Sequence, residues 1–224
     1  MIGGTFDSMT VSKARAGEDG RRIRGLDPEQ RRDQRRRQLL DAALELFSAQ
    51  GYAGTTIEQL CQHAYVGTKG FYEIFDSREA CYIALLKDVT ERTEALVTTR
   101  FAAGADELAL VETFARALVD DPRVARVTFG HGMAVAPATE RERRANRRWA
   151  AGFVVRIWQS RGVPVGERPE AELQRHATGL IGGMFDLIAD WLLESDPAEP
   201  QAVNELLRDL GAFYSVVRGG LARP

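Results

Sequence analysis

Three residues near position 70 carry side chains that suit hydrogen bonding to a nucleic acid. Lys69 can donate to the O6 and N7 acceptors of guanine, and Thr68 can contact a base edge or a thymine methyl group. Tyr72 can donate its hydroxyl to a phosphate, and Gly70 leaves room for close backbone approach. Such contacts require that these residues share one short, exposed helix.

The neighbouring sequence, residues 56–75, predicts two short helices joined by a tight turn. Thr55 and Glu58 have the spacing of a capping box, which begins the first helix. Gly67 takes positive φ at little cost and suits the turn, and residues 68–75 form the second helix. Two short helices with a brief turn are typical of a helix-turn-helix, whose second helix enters the DNA major groove.

Four short motifs occur in a fixed order around this segment. They are Phe47 with Gly51-Tyr52, then Thr55-Thr56-Ile57, then Phe71-Tyr72-Glu73-Ile74-Phe75, and last Ser77-Arg78-Glu79. With this order and these gaps, residues 35–86 resemble the DNA-binding domain of the TetR family of bacterial transcriptional repressors.

The resemblance implies that α-helical residues around this motif contact DNA. Arg78 falls in the first turn of the next predicted helix, where a cation opposes the helix dipole, and the resemblance gives it a DNA phosphate as partner. A helix N-terminus at Thr55 or Thr56 can hold another phosphate. The predicted DNA contacts are Thr55, Thr56, Gly67, Thr68, Lys69, Gly70, Tyr72 and Arg78.

The composition is that of a globular protein with a locally basic segment. The chain has 224 residues, 44% of them hydrophobic, and a formal net charge of −2. Residues 21–37 hold eight arginines against three acidic residues. No apolar run approaches about 18 residues and no secretory signal is evident, so we expect a cytoplasmic protein. Cys61 and Cys81 fall on predicted apolar faces and are expected to be buried and reduced.

The periodicity predicts an all-α protein of about nine helices. Residues 1–26 are rich in Gly, Ser, Asp and Arg and predict a disordered basic arm, which either lies along DNA phosphates or keeps the protein soluble. Residues 27–92 are the predicted helix-turn-helix domain with three helices. Residues 93–220 are the predicted helical domain for effector binding and dimerisation.

Local end signals predict several helix bounds. Asp27 and Pro28 begin the first helix and Gly51 ends it. Thr139 and Glu142 have capping-box spacing and begin a later helix. The predicted ranges include 28–50, 122–135, 139–161, 170–194 and 201–218.

The last two predicted helices are amphipathic and joined by a short turn. Paired across a two-fold axis, two such hairpins make a four-helix bundle, and the resemblance implies the same dimer interface. The alternative is that both helices pack only within one chain. Interior helix glycines cost about 1 kcal/mol each relative to alanine, which suggests close approach by a partner helix. The predicted interface residues are Gly179, Gly182, Gly183, Leu206, Leu210 and Phe213.

The resemblance also implies an apolar effector pocket in the second domain, which is larger than dimerisation alone requires. The candidate lining residues are equally good core residues. They are Phe114, Phe129, His131, Met133, Trp149, Phe153, Trp158, Met184 and Phe185.

Together these features predict a homodimeric transcriptional repressor that binds a palindromic operator and is released by a small apolar or aromatic effector. We expect no enzyme activity, cofactor or metal, because catalytic and nucleotide-binding motifs are lacking and His63, His131 and His176 fall on separate predicted helices. Two alternatives remain, a nonspecific nucleoid-type DNA binder, favoured by the basic run at 21–37, and an enzyme on a helical scaffold.

Overall fold

A computed structural model describes residues 27–130, 136–161 and 170–221, and these confirm the all-α class. The predicted arm at residues 1–26 lies outside the described residues. The helices of the described ranges are α1 (Pro28–Gln50), α2 (Ile57–His63), α3 (Thr68–Tyr72), α4 (Arg78–Ala102), α5 (Glu107–Val119), α6 (Pro122–Phe129), α7 (Pro137–Ser160), α8 (Glu170–Glu194) and α9 (Pro200–Leu221).

The bounds of α1 follow from the local end signals, as predicted. The Asp27 side chain accepts from the backbone N–H of Gln30 at 2.7 Å, and the Gln30 side chain accepts from the backbone N–H of Asp27 at 3.0 Å. Pro28 occupies the first turn, where its missing N–H costs nothing. Gly51 ends the helix with a φ of 75°, in the region that favours glycine.

The cap of α2 differs by one residue from the prediction. Thr56, not Thr55, is the N-cap, and it forms the capping box with Gln59 through bonds of 2.8 and 3.2 Å. The predicted pairing of Thr55 with Glu58 is wrong because the Thr55 side chain is completely buried. Its hydroxyl donates to the carbonyl of Gly51 at 2.9 Å, which fixes the chain between α1 and α2.

The turn between α2 and α3 also departs from the prediction. Gly67 has a φ of −66° and is the N-cap of α3, while Tyr65 takes the positive φ of 54°. Helix α3 ends at Tyr72, earlier than the predicted residue 75. A left-handed conformation is costly for a residue with a Cβ atom, so the turn holds Tyr65 in a strained backbone.

The capping box predicted at Thr139 is wrong. Helix α7 begins at Pro137 after Ala136, without a capping side chain, and Thr139 is completely buried. A proline at the first position fixes φ for the helix, so α7 begins two residues before the predicted cap. Helix α6 ends at Phe129 because Gly130 is extended, so the predicted continuous helix to residue 135 is wrong. Residues 131–135 lie outside the described residues.

The helices pack around two large apolar cores, and α4 and α6 contribute side chains to both. The first core lies among α1 to α4 and includes Val127 of α6. The second lies among α5 to α9 and includes Val89 of α4. Both cysteines are free and buried in the first core. Because α4 and α6 pack in both cores, a shift of either helix must change the packing of both cores.

Candidate nucleic-acid interface and effector cavity

Helix α3 presents three polar side chains on an open face. Phe71 is completely buried and its ring packs on Phe75 at a centroid distance of 5.8 Å, which anchors the opposite side of the helix. Thr68, Lys69 and Tyr72 are exposed, with Tyr72 54% exposed. The three predicted donors therefore lie together on a surface that the described part of the chain leaves uncovered.

Gly70 faces α1 rather than the open side of α3. A Cβ atom there would lie 3.0 Å from Val66 Cγ1 and 3.5 Å from Arg35 Nη1. Arg35 also pairs with Glu73 at 3.0 Å, which ties α3 to α1. Gly70 thus permits close packing within the protein, whereas Gly67 is exposed and has nothing within 4 Å of such an added atom.

The N-terminus of α2 already holds a carboxylate. Hydrogen bonds from the backbone N–H of Glu58 and from the Thr56 hydroxyl lower the pKa of the Glu58 carboxyl. Glu58 and Thr56 are exposed, while Thr55 is buried and cannot reach a ligand. Thr56 remains able to approach a phosphate, but Glu58 adds a like charge beside it.

Arg78 contacts protein groups instead of standing free for DNA. Its guanidinium donates to the carbonyl of Thr55 and lies 4.2 Å from the ring centroid of Tyr52. This pairing explains why an arginine is tolerated in the first turn of α4, where it opposes the helix dipole. Arg78 therefore positions the segment before α2, and its predicted phosphate contact has no support from this geometry.

A cavity of about 210 Å³ lies among α4, α5, α6, α7 and α8. It brings together four of the predicted pocket residues, Phe114, Phe129, Trp149 and Phe185. The Phe185 ring stacks on Phe114 at 6.3 Å and meets Phe129 edge-on at 5.0 Å. The cavity thus has aromatic walls, as an apolar effector site requires.

The other predicted pocket residues do not line this cavity. Phe153 and Met184 border a separate space of about 30 Å³, which is too small for an effector. Trp158 is completely buried in the second core and donates its Nε1–H to Tyr214 Oη at 3.1 Å. His131 and Met133 lie outside the described residues.

Several polar residues of the cavity were missed by the sequence prediction. Arg143, Asn146 and Arg147 of α7 line it, together with Ala150. The four residues recur at i, i+3, i+4 and i+7, which is the spacing of one helix face. That spacing is the available signal, but periodicity alone does not show whether a polar helix face meets solvent or a cavity.

A buried hydroxyl links the cavity to the first core. Tyr82 of α4 is completely buried, and burial raises the pKa of its phenol. Its hydroxyl donates to the carbonyl of Val127 at 2.8 Å and accepts from Arg143 Nη2 at 3.2 Å. Arg143, whose guanidinium lines the cavity, is therefore held by Tyr82, a side chain of the first core.

Comparisons with known proteins bear on this arrangement. The sequence model described as bacterial regulatory proteins, tetR family, matches residues 39–85. The HTH-type transcriptional repressor Rv1474c of Mycobacterium tuberculosis is 30% identical over 128 residues, which cover 50% of this chain and 68% of that protein. The chain belongs to the TetR family.

Other relatives match the helix-turn-helix alone or the fold alone. The regulator HbdR of Aromatoleum is 39% identical over 62 residues, which are 28% of this chain and only 27% of that protein. The fatty acid degradation regulator FadR from Bacillus halodurans is 15% identical, with a TM-score of 0.68 over 85% of this chain and 97% of that one. FadR from Bacillus subtilis, in complex with stearoyl-CoA, is 19% identical, with a TM-score of 0.64 over 79% and 98%.

Helices α8 and α9 of this TetR protein pack on each other, and the predicted dimer residues divide between two environments. Leu206 and Leu210 are 4% and 1% exposed, within the chain's own core, so they are not surface residues. A Cβ atom on Gly183 would lie 2.8 Å from the Phe213 ring, so this glycine admits α9. Gly179 and Gly182 have nothing within 4 Å and lie on the outer side of α8.

Apolar side chains accompany those open glycines. Leu187 and Leu193 of α8 and Val216 of α9 are 37%, 63% and 73% exposed. These residues, together with Gly179 and Gly182, form the outer face of the last two helices of the TetR protein. They replace Leu206 and Leu210 as candidates for a dimer contact.

Within residues 27–130, 136–161 and 170–221, no group of three His, Cys, Asp or Glu side chains could hold a metal ion. Within the same ranges, no helix combines the length and apolar character needed to cross a membrane.

Proposed function

We propose that this TetR-family regulator is a homodimeric repressor that binds a palindromic operator through α3. The observation that carries the proposal is the geometry of α3, where Phe71 anchors one side and Thr68, Lys69 and Tyr72 stand exposed on the other. Lys69 would donate to guanine, Thr68 would contact a neighbouring base, and Tyr72 would hold a phosphate. Two copies would read half-sites spaced by a helical turn or its multiples.

We assign DNA binding to residues 27–92, and effector binding and dimerisation to residues 93–220. The two apolar cores support this division, with α4 and α6 joining them. The exposed arginines of α1 support it as well, because a basic surface beside α3 adds phosphate attraction to every DNA sequence. They are Arg32, Arg36 and Arg37.

Release by a small apolar or aromatic effector is the second part of the proposal. The aromatic cavity of about 210 Å³ is its support, and the relative Rv1474c is named a repressor. The related FadR of Bacillus subtilis binds stearoyl-CoA, but this cavity suits a much smaller molecule. The effector must bind the DNA-incompetent arrangement more tightly than the competent one, because otherwise no release follows.

Fluorescence anisotropy on DNA from upstream of the protein's own gene tests the operator role, with a scrambled duplex as competitor and the salt concentration varied. Lys69→Ala is expected to lose about 1–3 kcal/mol of discrimination between the two duplexes, while Tyr72→Phe weakens both alike. Lys87→Ala is the matched control, since Lys87 is exposed on α4 and pairs loosely with Glu142 at 3.6 Å.

The same titrations separate the alternatives. Equal loss on both duplexes for Lys69→Ala would remove its base-reading role. Weak wild-type binding, equal on both duplexes and falling steeply with salt, would mean phosphate contacts alone and a nonspecific binder. A stoichiometry of one chain per site would contradict the dimer.

A further inference from the structure

The effector cavity contains a guanidinium that is only partly satisfied. Arg143 Nε is buried and has no hydrogen-bond partner among the described residues, and the described bond of its Nη2 goes to Tyr82 Oη. Thr128 Oγ1, also on the cavity lining, is buried without a described partner. Buried polar groups are nearly always hydrogen-bonded, so each of these two groups needs a polar partner that the described residues do not supply and that a ligand in the cavity can provide.

The charge of the cavity favours an anion. Its lining carries Arg143 and Arg147 against Asp186, which is exposed on α8. Arg143 makes no ion pair with a described residue, and Arg147 reaches Glu140 only at 3.7 Å. Glu140 pairs more closely with Arg144, at 2.7 Å. Both cavity arginines therefore retain most of their capacity to bind a carboxylate, which guanidinium groups hold in a bidentate fashion.

The remaining walls limit the size and character of the rest of the ligand. A dry apolar cavity of about 150 Å³ holds benzene, and this cavity of about 210 Å³ is moderately larger. Phe114, Phe129 and Phe185 surround the apolar part. There is room for one ring or a short alkyl chain together with a carboxylate.

We propose that the cavity binds a compact amphipathic carboxylate, with its tail among the phenylalanines and its carboxylate on Arg143, assisted by Arg147 and Thr128. This assignment rests on the proposed effector role of the cavity and names the chemical class of the effector. The tail of this carboxylate is either an aryl ring or an alkyl chain, and the experiment distinguishes the two.

Isothermal titration calorimetry on the full chain, without DNA, provides the test. The probes are phenylacetate with phenylacetamide and hexanoate with hexanamide, so that each acid has a neutral counterpart of the same shape. At least one acid is expected to bind about tenfold or more tightly than its amide, because a charge-assisted hydrogen bond is replaced by a neutral one.

Three variants locate the carboxylate. Arg143→Gln and Arg147→Gln are expected to reduce the preference for the acid over the amide, Arg143→Gln about tenfold or more. Arg147→Gln keeps the test valid if Arg143→Gln does not fold. Arg148→Gln is the matched control, because Arg148 is exposed on the same helix and does not line the cavity.

Equal affinity for acid and amide in both pairs, or an acid preference that survives in both cavity variants, would overturn the proposal. Release from operator DNA by a neutral apolar compound, with no acid preference, would retain the proposed function and overturn only the anionic site. Tight acid binding by a protein that recognises no operator would support the carboxylate site and remove the regulatory function.

Discussion

Arg143 Nη2 lies 3.2 Å from Tyr82 Oη, and this hydrogen bond joins the proposed effector cavity to the core of the helix-turn-helix side. The Tyr82 hydroxyl donates onward to the carbonyl of Val127. Its ring packs on Phe47 and Tyr52, with centroids 5.4 and 5.5 Å away. A ligand that draws Arg143 toward itself must therefore compete with a contact of the first core.

The contacts continue from Tyr52 to the segment that precedes α2. Arg78 lies over the Tyr52 ring and donates to the carbonyl of Thr55. Direct contacts thus lead from the cavity to the start of the helix-turn-helix. Contiguity by itself does not establish coupling, which needs an element with two arrangements of different energy. The Tyr82 hydroxyl is the point at which this can be tested.

Tyr82→Phe is expected to weaken the coupling between ligand and operator while the ring packing remains. The substitution removes the acceptor of Arg143 and the hydroxyl that donates to the Val127 carbonyl, so we expect stability to fall by about 1–3 kcal/mol. With a carboxylate bound, the loss of operator affinity should shrink relative to wild type. Urea unfolding and anisotropy with and without phenylacetate measure the two effects.

Tyr214→Phe is the control for this change. Tyr214 is also buried, and its hydroxyl donates to Glu107 at 2.6 Å and accepts from Trp158, away from the first core. It should lose stability but keep the coupling. If the two variants release operator equally well, the Tyr82 contact does not transmit the signal.

Helix ends and helix class could be predicted from sequence because their causes are local. The Asp27 side chain caps the start of α1 and the backbone of Gly51 ends it, and the predicted range 170–194 agrees with the bounds of α8. The cap of α2 could not be predicted to the residue. Thr55 and Thr56 both have capping-box spacing, and only the tertiary burial of Thr55 decides between them.

The candidate site was predictable to a smaller extent. The exposed face of α3 follows from a short amphipathic helix with Phe71 on its inner side. The cavity depends on how α7 is rotated against α4 and α8, which a single helix period does not define. For that reason the sequence alone does not assign Arg143 to the cavity, and Trp158, an aromatic on the same helix, lies in the core rather than in the cavity.

Tyr65→Gly is expected to raise stability by about 1 kcal/mol, because a left-handed backbone is strained for any residue with a Cβ atom. The residue has a φ of 54° and a side chain that is 95% exposed, so the change removes strain and almost no packing. Urea unfolding measures the gain. Tyr65→Ala removes the ring but keeps the Cβ atom, so it should show no comparable increase. Equal stability of the two variants would mean that the turn stores no strain.

Two glycines of α8 should respond differently to alanine. Gly179→Ala is expected to stabilise the single chain by up to about 1 kcal/mol, from helix propensity alone, since nothing lies within 4 Å of the added atom. Gly183→Ala should be clearly less favourable, because its Cβ atom would lie 2.8 Å from the Phe213 ring. Urea unfolding of both variants gives the comparison.

The concentration dependence of dimer dissociation tests whether the outer face of α8 forms the dimer contact. If a second chain packs on Gly179, the alanine should weaken the dimer even while it stabilises the isolated helix. Sedimentation of the variant and wild type at matched concentrations measures this. An unchanged dissociation constant for Gly179→Ala would place the dimer contact elsewhere.

Glu58→Gln is expected to tighten DNA binding. The Glu58 carboxylate lies at the N-terminus of α2, beside the Thr56 hydroxyl, which remains able to approach a phosphate, so a DNA backbone at this helix end would be repelled. Its removal should raise affinity by up to about fivefold at low salt, for operator and scrambled duplex alike, and the gain should shrink as salt screens the charge. Anisotropy at two salt concentrations measures both effects.

The same substitution should change the pH dependence of stability. The pKa of Glu58 is lowered in the folded state, so its contribution is present above the unfolded-state pKa and is lost as the pH falls through the folded-state pKa. Glu58→Gln should therefore lose less stability on acidification than wild type.

Glu94→Gln, on an exposed position of α4, is the control for a carboxylate far from α2. A matching gain in DNA affinity for that control would assign the effect to net charge rather than to a phosphate at α2.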